Sequence, residues 1–124
     1  MAPQHLALVS LLVPDYDEGL QFYVGVLGFE LREDTVISDD KRWVVVAPPG
    51  GECAILLARA ANPDQRATIG KQAGGRVFLF LNTDDFARDH AALLRRGVQF
   101  LESHATSLTA RLPYSSTRSG IVGT

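Results

Sequence analysis

The sequence predicts an α+β chain whose two halves repeat one order of elements: a strand, a capped helix, then further strands. Three observations carry this expectation. Short apolar, β-rich runs recur from residue 5 to residue 101. Two segments of helical spacing interrupt them, each opened by an acidic or hydroxyl residue and closed by glycine. The junction Leu27-Gly28-Phe29-Glu30 after the first helix is echoed by Arg96-Gly97-Val98-Gln99 after the second, and internal similarity of this kind is a fold-level signal.

Residues 5–13 are nearly continuous in apolar side chains, as expected of a strand buried on both faces. Pro14 ends that run. Asp15 is placed to cap the following helix, with Glu18 three residues on as in a capping box. Leu20, Phe22, Tyr23, Val26 and Leu27 recur at helical spacing; Phe22 and Tyr23 are expected in the core, and Gly28 suits the end of the helix. Residues 29–36 read as a second strand, Asp39-Asp40 as a turn, 42–47 as a third strand and 53–58 as a fourth, with Pro48 to Gly51 between the last two. Residues 59–75 hold Pro63, Gly70, Gly74 and Gly75 without a sustained apolar period, which predicts a long loop. Residues 76–81 form a fifth strand. Asn82, Thr83 or Asp84 is expected to cap a second helix with the apolar face Phe86, Ala87, His90, Leu93 and Leu94, where His90 is a structural residue. Arg95 and Arg96 suit its last turn, and residues 98–101 form a sixth strand.

At 124 residues, 46% hydrophobic and 21% charged, the composition is that of one globular domain, spanning 1–124 with modules at about 1–58 and 76–124. Fourteen acidic against 12 basic residues, with no basic stripe, argue against a nucleic-acid partner. No apolar run reaches the roughly 20 residues of a membrane span, so no membrane partner and a cytoplasmic location are expected. The single cysteine, Cys53, excludes an internal disulfide framework and is expected to be buried as a packing residue. No Ser-His-Asp set, phosphate-cradling glycine loop or paired-carboxylate arrangement assigns a reaction.

The segment from Val13-Pro14-Asp15 through the acidic start of the helix to Phe22-Tyr23 and Leu27-Gly28-Phe29 resembles the first-module signature of the vicinal-oxygen-chelate superfamily, the glyoxalase, bleomycin-resistance and extradiol-dioxygenase proteins. Gly97-Val98 followed by Phe100 resembles the matching second-module element, and the resemblance covers residues 5–102. It implies two βαβββ modules forming a curled mixed sheet with a central cleft. It also implies a small-molecule ligand and a homodimer. Metal-using members hold a divalent ion such as Zn, Ni, Mn or Fe with four ligands, at the start of each module's first strand and on each module's last strand.

Carried over residue by residue, that pattern assigns His5 as the one metal ligand. The counterpart on the first module's last strand is Leu56, which is apolar, and the start of the second module is Arg76, which is cationic. Other members use the same cavity only to bind a metabolite or drug. Trp43 is then a candidate to stack on a flat ligand, Arg76 to meet an anionic group, and Phe78, on the same strand face as Arg76, to line the site; His5 is a ligand-binding candidate as well. The leading expectation is a small-molecule-binding protein without a tightly held metal. The alternatives are a metal-dependent lyase or dioxygenase with a degraded site, and a folded remnant with no specific ligand.

From about Ser103 onward the chain carries none of the letters such proteins place in their last two strands. A regrouping of codons restores them. Thr106-Ser107 written ACG-AGC contains GAG for glutamate, Ser107-Leu108 contains CCT for proline, and Leu108-Thr109 contains TAC for tyrosine. Further on, Val122-Gly123 contains TGG for tryptophan and Gly123-Thr124 contains GAC for aspartate. One consistent codon choice spells Glu-Pro-Tyr-Gly-Thr-Val-Ala-Val-Phe-x-Asp-Pro-x-Gly-Asn-Arg-Trp-Asp. We therefore read the tail as a shifted frame, from mutation or sequencing error. The second module is then expected to be incomplete at the C-terminus. Leu108, Ala110, Leu112 and Tyr114 would alternate as a substitute strand cut short by Pro113, with residues 115–119 as loop. Sequencing the coding DNA tests this: the codons for residues 104–124 should regroup as described, and codons that cannot do so end the idea.

Overall fold

The computed structural model describes residues 3–74, 76–104, 107–111 and 118–123, with side chains described for residues 3–74, 76, 78–98 and 100. The chain divides into two compact units, residues 1–66 and 67–124. Each holds a mixed four-stranded sheet with its first strand beside its fourth, as expected of two βαβββ modules in an α+β chain.

The first unit runs β1 (Leu8–Val13), α1 (Tyr16–Leu20) continued by a π-helical segment (Gln21–Val26), β2 (Glu30–Ser38), β3 (Lys41–Ala47) and β4 (Ala54–Arg59). Sheet order is β1-β4-β3-β2, with β1 parallel to β4 and the other pairs antiparallel. Because strand side chains alternate, Leu11, Val13, Val44, Val46, Ile55 and Leu57 share one face, and all six are buried. The helix covers that face with Tyr16, Phe22 and Tyr23, also buried. Gly19 sets how closely it sits: a Cβ there would lie 3.1 Å from Leu57 Cδ1 and 3.2 Å from Val13 Cγ1. The Tyr23 ring meets Phe22 edge-on at 5.1 Å and Phe29 at 6.0 Å. Burying each such side chain contributes about 1.5–3 kcal/mol before chain entropy is subtracted.

Two sequence expectations in this unit are corrected. β1 is not buried on both faces: Leu8 is 38% exposed and Ser10 is exposed, because α1 and its π-helical continuation cover only the Leu11 and Val13 side. Asp15 precedes α1 in extended backbone but makes no side-chain cap, so the capping box with Glu18 does not form. Its carboxylate is exposed to water, and its backbone carbonyl instead accepts from Gly19 N at 3.1 Å.

Arg42 ties the helix to the β2–β3 hairpin. Its guanidinium donates to Asp34 at 3.1 and 2.7 Å and to Asp17 of α1 at 3.0 Å, and lies 5.3 Å from the centre of the Tyr16 ring. The Arg42 hydrogen bonds hold the Asp34 carboxyl below its ordinary value of 3.8, against the opposing effect of partial burial.

In the second unit lie β5 (Val77–Thr83), α3 (Phe86–Arg95), β6 (Gln99–His104), β7 (Ser107–Arg111) and β8 (Arg118–Gly123), in the order β5-β8-β7-β6. Asp85, rather than any of residues 82–84, caps α3, its Oδ1 accepting from Arg88 N at 3.0 Å. Thr83 is used differently: its hydroxyl accepts from Asp85 N at 3.1 Å and donates to Asp89. The Asp89 carboxyl is held below its ordinary range, first by hydrogen bonding from Arg88. Gly97 ends the helix at a φ of 87°, a left-handed conformation that side chains disfavour.

The expected loop at 59–75 contains a short helix, α2 (Pro63–Thr68). Asn62 Oδ1 accepts from Gln65 N at 2.8 Å and Gln65 Oε1 accepts from Ala61 N at 2.6 Å. The missed signal is Asn62-Pro63-Asp64-Gln65, a cap residue followed by proline at the first helical position. The second module is also not incomplete in strand number. β8 pairs in parallel with β5 and antiparallel with β7. Ladder bonds are made by backbone groups, which any residue but proline supplies, so the strand pairing does not depend on the family's usual letters being present there. Leu108 and Ala110 lie in β7, and Arg118 and Ser119, expected as loop, lie in β8; Leu112, Pro113, Tyr114 and residues 115–117 lie outside the described residues.

Asp34 provides a pH test of the hairpin tie. A lowered carboxyl pKa contributes stability above the unfolded value, and that contribution is lost as pH falls through the folded value. Asp34→Asn should therefore cost about 1 kcal/mol near pH 7, and its gap from the parent protein in urea unfolding should close as pH drops below 3.8. A gap that stays constant into the acid range would contradict this.

Candidate functional site

The face of the first sheet opposite α1 has different chemistry. Val45, Ala47 and Ala54 are buried in one cluster there, and Trp43 and Leu56 pack against it half-buried. Pairing of Val45 with Leu56 brings β3 and β4 residues side by side on this face, and Ser10 of β1 lies beside Leu56.

β2 supplies the polar edge through a change of register. Pairing with β3 slips by one residue between Leu31 and Glu33. Without the slip, Glu33 would stand opposite Val44 on the helix side. With it, Glu33 stands opposite Val45 and Thr35 opposite Trp43, on the helix-free face, while Asp34 opposite Val44 turns to the helix side. Thr35 Oγ1 donates to Glu33 Oε2 at 3.2 Å. The two nearby arginines are held elsewhere: Arg42 by Asp34 and Asp17, and Arg32 by Glu30 and the carbonyls of Pro48 and Gly51 at 3.2 and 3.1 Å.

Of the site residues expected from sequence, Trp43 stands on this apolar floor. His5 is exposed, ahead of β1. Arg76 is exposed just before β5, its N–H donating to Ala73 O at 3.2 Å, and Phe78 is half-buried on β5; both belong to the second unit. Glu33 and Thr35 escaped sequence reading because simple alternation sends them to the other face. Cys53 is exposed, correcting the expectation of burial: β4 begins at Ala54, which leaves the cysteine in the preceding turn. His90 packs between the rings of Phe86 at 5.9 Å and Phe100 at 4.9 Å, a structural placement.

The donors at the positions implied by the resemblance do not fit a divalent ion. His5 has for its counterpart on β4 the half-buried, apolar Leu56, and the second-module position is the cationic Arg76. Among the described residues, no three His, Cys, Asp or Glu side chains are grouped to hold a metal. Among them too, no helix is long and apolar enough to cross a membrane.

Residues 3–111 match the family model described as Glyoxalase/Bleomycin resistance protein/Dioxygenase superfamily. An uncharacterized protein of Shewanella frigidimarina (strain NCIMB 400) is 54% identical over 100 residues, covering 79% of this chain and 74% of that one. The crystal structure of TnmS3, an antibiotic binding protein from Streptomyces sp. CB03234, aligns with a TM-score of 0.74 at 28% identity over 99% of this chain and 98% of that one. A superfamily member from Sphaerobacter thermophilus DSM 20745 aligns at 0.76 and 23% identity, covering 98% of both chains, and speaks to the fold alone. With this match across most of its length, and with two modules of identical strand order, the chain belongs to the glyoxalase/bleomycin resistance protein/dioxygenase superfamily.

Proposed function

We propose that this protein binds a flat, largely apolar small molecule on the helix-free face of its first sheet and acts by sequestering it, without a tightly held metal. The observation that carries the reading is Trp43, half-buried on a floor of Val45, Ala47, Ala54 and Leu56. An indole beside an apolar floor offers a stacking surface that excludes water on one side. The likeness to an antibiotic binding protein supports a binding role, and the poor fit of His5, Leu56 and Arg76 to a metal weighs against a lyase or dioxygenase. His5 is proposed as a further ligand contact. The same reading places the protein in the cytoplasm, where an exposed thiol such as Cys53 stays reduced.

Trp43 is the chain's single tryptophan, so its fluorescence reports on this face directly. Titration with planar aromatic drugs and aromatic thiol conjugates should quench it and raise Tm, since ligand at 100 times Kd stabilises by about 2.7 kcal/mol. Trp43→Ala should weaken binding about 10-fold, as loss of a stacked ring costs roughly 0.5–1.5 kcal/mol. Stoichiometric Zn, Ni, Mn or Fe in the purified protein, lost on His5→Ala, would overturn the reading in favour of a metal-dependent enzyme.

We also propose that the protein is a homodimer. Leu6, Val36 and Phe80 are 74, 72 and 70% exposed, and large apolar side chains left in water at several places favour association. Light scattering at micromolar concentration should give the mass of two chains; the mass of one chain would refute it.

A further inference from the structure

We infer that the ligand of this face is a planar aromatic cation, selected by the Glu33 carboxylate beside Trp43. This rests on the reading of the helix-free face as the ligand site and adds the ligand's charge.

The inference begins with the register slip in β2, which moves one carboxylate and one hydroxyl onto the Trp43 face. Thr35 stands directly across from Trp43, and its hydroxyl donates to Glu33 Oε2 at 3.2 Å. That bond orients the carboxylate and leaves its other oxygen for a donor from outside. Glu33 takes part in none of the ion pairs among the described residues, and the two arginines of the same hairpin are engaged: Arg32 with Glu30 and two carbonyls, Arg42 on the opposite side of the sheet with Asp34 and Asp17. The face thus offers an indole ring, an apolar floor and a negative charge on one side of one hairpin, with Lys41 of the same face exposed at the turn end of β3, two residues before Trp43. A flat neutral molecule uses the first two. A flat cation uses all three, because the indole face and the carboxylate both attract positive charge. An anion of the same shape meets repulsion from Glu33.

Three tricycles of one size separate these cases: 9-aminoacridine as the cation, acridone as the neutral molecule and acridine-9-carboxylate as the anion. Dissociation constants are measured by calorimetry, with quenching of Trp43 showing that each compound sits on this face. In the parent protein at low salt, 9-aminoacridine should bind about 10-fold tighter than acridone, the size expected for one partly solvated charge pair, and the carboxylate should bind weakest. In Glu33→Gln, the ratio of cation to neutral affinity should fall several-fold, to the smaller preference set by the indole face alone. Circular dichroism and the thermal midpoint of the variant show that its fold is intact, and added salt should shrink the ratio in the parent protein alone. Equal affinity for cation and neutral molecule, or a preference undiminished in Glu33→Gln, overturns the charge selection while quenching by acridone keeps the binding face. Failure of all three to bind or to move Trp43 fluorescence overturns the charge selection, and failure of the wider set of planar compounds as well overturns the binding face.

Discussion

A β-sheet presents two faces, and the helix of the first unit covers one of them. Gly19 lets the helix backbone approach until Leu57 and Val13 would meet any added Cβ at about 3 Å. That close seat makes Val44, Val46, Ile55 and Leu57 the core and assigns their neighbours in the strands to the other side. Trp43, Val45 and Ala47 are placed opposite the helix because strand side chains alternate, and the seat of α1 decides which of the two sets is which.

The one-residue slip in β2 works on both faces at once. It turns Asp34 toward Arg42, which reaches on to Asp17 and the Tyr16 ring, so the hairpin is tied to the helix by charge. It turns Glu33 and Thr35 toward Trp43. A bulge separates opposite jobs along three consecutive residues, a structural ion pair on one side and a hydroxyl–carboxylate hydrogen bond on the other. Regular pairing would have placed Asp34 across from Trp43 and left Arg42 facing Thr35.

The two units repeat a strand order while differing in side chains. In the first, aromatic packing around Tyr23 anchors the helix. In the second, a polar set does part of that work, with Thr83, Asp85, Arg88 and Asp89 fastening the start of α3. The superfamily fold accepts both solutions because its architecture rests on backbone ladders and an apolar face, whereas its chemistry rests on a few side chains in particular positions. In this chain the positions implied by the resemblance hold His5, Leu56 and Arg76, a set that does not fit a divalent ion.

Much of the fold was legible in the residues themselves. The helix signature ending in Leu27-Gly28-Phe29, its echo at Gly97, and the apolar runs 42–47 and 76–81 determined two related modules, because apolar periodicity and glycine caps are local properties of the chain. The burial of Phe22 and Tyr23 and the position of Trp43 on a strand followed from the same periods. Other features depended on distant partners. Exposure of Cys53 and of one side of β1 reflects where β4 begins and which face α1 covers. The pairing of β8 with β5 joins segments that sequence letters alone kept apart. The position of Glu33 beside Trp43 turns on a slip of one residue between two strands, and only the hydrogen-bonded pairing of those strands decides on which residue a slip falls.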